Sequence, residues 1–251
     1  MSTQTSASPP SRRERLRAQT VDEIKAVARA QLEEGGPEAI QLRAVARAVG
    51  LTAPALYRYF PSREDLVDEL TVEVFDELIG EMEAARDSRP EDDLAGRLRA
   101  TSHAFRSYAI AHPARFRLLF ATPPRGMDDP DATSDACAEA SSRFGNVFAA
   151  QFRDVWERRP FPVPADDDLV PALADEIHPY WTWIDTEFAP GMPKGALVAF
   201  VQAWVRLYGL VSMEVLGHLD WAVTDGAPLL DQLLADIARE WGLAPATAPG
   251  R

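Results

Sequence analysis

The chain has 251 residues, of which 46% are apolar and 26% charged, and its formal net charge is −13. Those values describe a soluble protein of one or two globular units with a real core. In the most apolar region the longest charge-free stretch is the eleven residues Gly195 to Val205, short of the roughly 20 a membrane-spanning helix needs, so no membrane partner is expected. No apolar run follows the opening Met-Ser-Thr-Gln-Thr-Ser-Ala-Ser-Pro-Pro, so no secretory signal is expected and the cytoplasm is the expected compartment. Cys137 is the sole cysteine, which excludes an internal disulfide; one Cys among four scattered His also argues against a metal site.

Charge is unevenly placed. Residues 1–63 hold ten basic and six acidic side chains, net +4, and the remainder carries −17. A basic head therefore precedes an acidic body, which fits a head that meets a polyanion.

Residues 1–17 are Ser/Thr/Pro-rich and then basic, and the spacing predicts a disordered arm ahead of a first helix. Thr20 and Glu23 stand at capping-box spacing, and Val21, Ile24, Ala28 and Leu32 follow at helical intervals until Gly35-Gly36. Leu42, Val45, Ala46 and Val49 form a second, short apolar face closed by Gly50. A third helix is expected from Thr52, with Pro54 tolerated in its first turn and Pro61 ending it. Ser62 caps a fourth, carrying Leu66, Leu70, Val74, Leu78 and Met82 to about Arg86. Further helices are predicted at Asp92–Ala111, Pro113–Ala121, Ser134–Trp156, Asp168–Phe188, Gly195–Leu219 and Pro228–Trp241, separated by polar or Pro/Gly-bearing breaks. With no alternating strand pattern, no repeat and no phosphate-binding Gly loop, the predicted fold class is all-α and no cofactor is expected.

From Leu42 to Tyr59 the spacing is that of two short helices crossing at a tight turn. Ala46 supplies a small contact, Gly50 a positive φ and Leu56 an anchor dropping into the core. The outward residues suit DNA: Thr52 and the amides it caps for a phosphate, Ala53 and Pro54 for thymine methyls, Tyr57 and Tyr59 as hydroxyl donors, and Arg58, Arg63 and Arg43 as charges for the backbone. Phe60 is read as core.

The run from Leu42 to Leu66, and above all Tyr57-x-Tyr59-Phe60-x-Ser62-Arg63-x-x-Leu66, resembles the DNA-binding domain of the TetR family of bacterial transcriptional regulators. With the preceding helix the likeness spans about residues 18–70. It places Thr52, Ala53, Pro54, Tyr57, Tyr59 and Arg63 on DNA-contacting positions. Gln41 departs from the pattern, standing where Ser or Thr usually caps the second helix. The resemblance implies a homodimer of all-helical subunits whose affinity for a palindromic operator in double-stranded DNA changes when a small-molecule effector enters the C-terminal domain. The implied organisation is a disordered arm (1–17), a helix-turn-helix head (18–66), a ligand and dimerisation domain (67–242) reached through the long fourth helix, and a disordered tail (243–251). Tyr108 to Phe120 and Trp204 to Leu210 resemble stretches of one C-terminal subgroup, with Tyr208 where a His recurs there.

Aromatics crowd the body, and Phe105, Tyr108, Phe148, Trp181, Trp204 and Tyr208 are the candidate ligand contacts. Between Ala196 and Leu219 apolar residues cover more than one core-facing stripe, and the last helix adds a second apolar row. Phe200, Val211, Val215, Leu230, Leu233, Leu234 and Ile237 are accordingly expected in a four-helix dimer interface. Two other functions stay open at this stage. Asp175, Glu176 and His178 are acid/base candidates for an enzyme, though no nucleophile motif or cofactor loop accompanies them; a helical module that binds no DNA is the third possibility.

Overall fold

The computed structural model describes residues 11–120, 135–169 and 191–243. These form helices α1 (Arg12–Gly35), α2 (Leu42–Ala48), α3 (Ala53–Leu56), α4 (Arg63–Asp87), α5 (Leu94–Ala111), α6 (Pro113–Phe120), α7 (Asp135–Arg158), α8 (Lys194–Val215) and α9 (Ala227–Glu240), with 3-10 turns at Pro37–Ala39 and Asp166–Asp168. No strand occurs among the described residues, so the fold is all-α. Most of the helix expected over Asp168–Phe188 lies outside the described residues, as do Asp175, Glu176, His178 and Trp181.

The first helix begins earlier than expected. Helix α1 starts at Arg12, where the Glu14 N–H donates to Ser11 Oγ (3.2 Å) and the Ser11 N–H to Glu14 Oε2 (2.6 Å), a capping box well upstream of the Thr20 one. Thr20 is mid-helix instead, its hydroxyl donating to the Leu16 carbonyl at 2.9 Å. Arg, Leu, Ala and Gln between them are good helix formers, so the segment needs little apolar burial once capped. At the other end Leu243, expected in the tail, is buried.

The chain divides into two compact units, residues 1–75 with 112–139 and residues 76–111 with 140–251. The first unit takes α4 as far as Phe75 and also α6, which packs on α1. Ile24, Ala28 and Leu32 of α1, Val45 of α2, Leu56 of α3 and Leu66, Leu70 and Val74 of α4 are all fully buried in its core. Ala114, Phe116 and Leu118 of α6 complete it. Lys25 and Arg29 of α1 both bind Glu73 of α4, at 2.6 Å each. Burial pushes the Glu73 carboxyl up, but the hydrogen bonds from Lys25 and Arg29 outweigh it and hold the group below its ordinary range.

The second unit is built on aromatic rings. Phe105 of α5, Phe148 of α7 and Trp204 of α8 meet with centroids 5.5–6.1 Å apart, and Phe152, Phe161 and Trp241 form a second cluster at 5.0–6.1 Å. Gly195 is required where it stands, since a Cβ there would meet the Pro164 carbonyl oxygen. By length and mean hydropathy α8 would suffice to cross a membrane. Its charges are nevertheless tied into the packed unit: Arg206 donates to both carboxylate oxygens of Glu240 on α9, and Glu214 receives Arg106 from α5. These ion pairs fasten α8 to α5 and α9, while much of its apolar surface stays uncovered.

Candidate nucleic-acid interface

Helix α2 ends in a doubly bonded left-handed cap. The Leu51 N–H donates to the Ala46 carbonyl (2.8 Å) and the Gly50 N–H to the Arg47 carbonyl (3.3 Å), with Gly50 at φ +71°. This turn sets the direction of α3, which is only four residues long and continues as tight turns through Tyr59, where the Tyr59 N–H reaches the Leu56 carbonyl at 2.8 Å. So short a helix cannot hold itself. It is positioned by burial of Leu56 and Phe60 and by Thr52, whose Oγ1 accepts the Ala55 N–H at 3.3 Å.

What remains outward matches much of the expected set. Arg43, Thr52, Pro54, Tyr57 and Arg58 are exposed, and Ala53 and Tyr59 are half-buried. The two tyrosines separate. Tyr57 lines a groove with Arg43 and Gln41 at the start of α2, and Tyr59 lines another with Arg58 and the first turns of α1. The turn after α3 thus carries its two tyrosines into separate concave surfaces. Gln41 offers no side-chain cap; its N–H is satisfied by Gln31 Oε1 of α1 at 3.0 Å.

Arg63 lines the same groove as Arg43 and Tyr57. Its Nε donates to the Ile40 carbonyl (2.9 Å) and its Nη2 to the Pro37 carbonyl (2.5 Å), so the guanidinium also braces the turn that leads into α2. A charge-assisted bond to two carbonyls holds the side chain in place. Its tertiary partners are 23 and 26 residues away, beyond any local motif.

In the second unit the expected ligand and dimer residues sort by burial. Phe105 and Tyr108 are buried, the Tyr108 hydroxyl facing Glu77 at 3.4 Å, and Tyr208 stacks on Trp204 at 5.5 Å. Phe148 and Trp204 line a cavity of about 20 Å³ together with Ser102, Phe200, Leu234 and Trp241. Among the described residues Ser102 Oγ and Trp241 Nε1 are buried without a hydrogen-bond partner, and no charged side chain lines the cavity. Of the expected interface, Phe200, Leu234 and Ile237 therefore face this interior, and Val211 and Leu230 are fully buried in the chain's own core. Val215 and Leu233 are not among its buried residues. The uncovered large apolar side chains of this unit are instead Ile110 of α5, Val201, Val205, Met213 and Leu216 of α8 and its C-terminus, Leu229 of α9, and Trp221, 86% exposed in the connecting turn. A helix apolar all round does not reveal from sequence which stripe faces inward; packing of Ala203, Leu207 and Val211 against the unit decides it.

Two sequence profiles match the chain: "Bacterial regulatory proteins, tetR family" over residues 24–70 and "Tetracyclin repressor-like, C-terminal domain" over residues 98–237. Together they reach from the head through most of the second unit. The chain belongs to the TetR family. Among TetR-family relatives, the HTH-type transcriptional regulator Rv1816 of Mycobacterium tuberculosis is 29% identical over 213 residues, covering 82% of this chain and 83% of the relative. The crystal structure of the regulatory protein SCO4313 is similar at 28% identity with a TM-score of 0.65, covering 90% of this chain and 98% of that one. A Rhodococcus sp. RHA1 protein of unknown function shares the fold, with 22% identity, a TM-score of 0.60, and 90% and 95% coverage. This TetR-family chain is accordingly a DNA-binding transcriptional regulator.

Its family profile begins at residue 24. Arg12, Arg13 and Arg17, which share the second groove with Tyr59 and Arg58, lie upstream of it and outside every motif singled out in the sequence. The signal that could have found them is Ser11-x-x-Glu14, a capping box that extends the helix through the arginine run.

Proposed function

We propose that the protein is a homodimeric repressor that binds a palindromic operator through Arg43, Thr52, Ala53, Pro54, Tyr57, Arg58 and Tyr59, and leaves it when a small-molecule effector enters the second unit. The observation that carries this reading is the turn after the short α3, whose Tyr57 and Tyr59 line separate grooves that also bear arginines. Small side chains at Ala53 and Pro54 allow the helix end to approach base edges, and the Thr52 hydroxyl keeps its proton to donate to a phosphate while its oxygen caps the helix.

The dimer is supported by α8, of which only 28% of an 18-residue apolar window is buried within one chain. Val201, Val205 and Leu216 fall on one stripe, away from the buried Ala203, Leu207 and Val211, and a second copy related by a twofold axis would cover it. That revises the interface set toward the uncovered row. Two recognition helices would then be spaced to meet one turn of DNA, about 34–36 Å.

The effector reading is supported by the cavity beside Trp204. At about 20 Å³ it has room for roughly one water as it stands, so an effector would have to open it, and its uncharged walls with the Trp241 N–H favour a neutral apolar molecule carrying a hydrogen-bond acceptor. Because α4 is one continuous helix shared by both units, a change of packing around Leu78 and Met82 bears on the helix that also anchors the head. An effector acts only through its difference in affinity between the two states, so operator affinity unchanged by any neutral ligand in a broad screen would leave a constitutive DNA binder. No enzymatic step enters this account.

Arg43→Ala combined with Tyr57→Phe tests the DNA face. Operator affinity is expected to fall about tenfold or more, and the dependence of log K on log salt to flatten by roughly 0.9 for each phosphate no longer neutralised. Unchanged affinity and slope in electrophoretic shift titrations would remove these residues from the interface.

A further inference from the structure

The groove on the Tyr59 side of the recognition helix is lined by Arg12, Arg13, Leu16 and Arg17 of α1 with Arg58 and Tyr59. Residues 13, 16, 17 and 20 recur at three and four residue intervals and so form one stripe along the helix. Arg17 fixes that stripe to the other wall: its guanidinium lies 5.3 Å from the Tyr59 ring centroid and its Nη2 donates to the Arg58 carbonyl at 3.5 Å. Pairing is the second observation. Arg97, Arg99, Arg106 and Arg206 of the second unit are each bound to a carboxylate, whereas Arg12, Arg13 and Arg58 have no carboxylate partner among the described residues. The acid within this stretch, Glu14, is held by the Ser11 N–H at the helix start. Several like charges facing one concavity repel each other until a polyanion enters, and phosphate oxygens match the guanidinium fork.

We propose that the first two turns of α1 and the turn after α3 form a second backbone clamp, which takes the sugar–phosphate strand on the Tyr59 side while Arg43 and Tyr57 take the opposite strand. This rests on the DNA-binding reading above and extends it to residues upstream of the family match. From Arg12 to Thr20 the helix advances about 12 Å, the length of roughly three to four base pairs at about 3.4 Å each, so the clamp reaches more than one phosphate. Leu16, 54% exposed between the arginines, presents its apolar side chain to a deoxyribose. Arg17 is a positioning residue, and Arg12, Arg13 and Arg58 are the contacts.

The test uses the full chain and a duplex that it selects from a random-sequence pool. Arg12→Ala with Arg13→Ala removes two exposed side chains that hold no partner among the described residues, so little effect on folding is expected. Relative to wild type, this variant is expected to lose about tenfold or more in affinity at physiological salt, with a salt slope shallower by roughly 0.9 for each phosphate it releases. Phosphate-ethylation interference should vanish from one strand of each half-site and persist on the other, with base preference unchanged; Arg12→Lys with Arg13→Lys should restore the slope. A variant with wild-type slope and wild-type interference on both strands overturns the clamp and turns attention to an acidic protein as the groove's occupant. Wild-type protein that selects no duplex overturns the DNA-binding reading itself, so the two failures are distinguishable.

Discussion

Leu56→Ala is expected to destabilise the first unit by about 2–5 kcal/mol, the cost of a large-to-small change at a fully buried site, and to abolish selective DNA binding. That is a large fraction of a typical domain's total stability. The effect reaches function because α3 has four residues and no helical stability of its own. Its orientation is inherited from the Gly50 turn at one end and from the buried Leu56 side chain at the other. With the anchor shortened, Tyr57 and Tyr59 lose their fixed places in the two grooves even if the remaining helices stay folded. Chemical denaturation followed by circular dichroism, beside shift titrations, measures both consequences. A variant that keeps its unfolding midpoint and its DNA selectivity would show that α3 is positioned by something other than this anchor.

Arg106→Ala should cost roughly 3 kcal/mol in the second unit. Arg106 donates to Glu214 through Nε (2.7 Å) and Nη2 (2.5 Å) and to Asp225 through Nη2 (2.7 Å), tying α5 to the end of α8 and the start of α9. Arg106 and Glu214 are 13% and 15% exposed, so the truncation strands a mostly desolvated carboxylate with the Gly226 N–H as its remaining donor in this network. Arg106→Lys should recover part of the loss, since it restores the charge without the two-pronged geometry. The same network carries an acid sensitivity. The Ala227 N–H, and after it Arg106, hold the Asp225 carboxyl below its ordinary value of 3.8. A group whose pKa is depressed by folding stabilises the native state above its unfolded pKa, and that contribution is lost as pH falls through the lower native value. In urea unfolding the part of the wild-type advantage that Arg106 exerts through Asp225 should therefore shrink as pH falls below 3.8; a difference between wild type and variant below about 1 kcal/mol at neutral pH would show that solvent, and not Arg106, satisfies Glu214.

The parts of this fold that were legible in advance are those whose signals are local. Ala46, Gly50 and Leu56 constrain one turn and its two flanks, and a positive φ with a small crossing residue admits few alternatives, so the helix-turn-helix could be read from spacing. Ser62 and Asp65, which bond each other reciprocally at the start of α4, are equally local. What stayed hidden depends on tertiary partners or on phase. Arg63 looked like a free charge beside a recognition helix because Pro37 and Ile40, whose carbonyls it braces, are far away in sequence. The start of α1 was masked by a composition poor in apolar residues, although its cap was written in Ser11 and Glu14. On α8 the apolar pattern has no polar face to set its phase, so Val211 could be assigned to a partner when packing turns it inward and leaves Val201 and Val205 uncovered.

A basic head on an acidic body gives this arrangement a further physical consequence. Net charge of +4 over residues 1–63 against −17 over the rest orients the molecule in the field of a polyanion, favouring approach by the head and opposing adhesion through the body. In the proposed reading selectivity comes from Ala53, Pro54 and the residues that place them, since phosphate contacts alone carry no sequence information.

Footprinting the full-length protein on the DNA upstream of its own gene is the most direct measurement of the central claim, that α3 enters a major groove while tyrosines and arginines on both sides grip the strands. The account predicts a protected inverted repeat whose half-sites lie on one face of the duplex, about one helical turn apart. Protection indistinguishable from that on a scrambled competitor, even at low ionic strength, would contradict it.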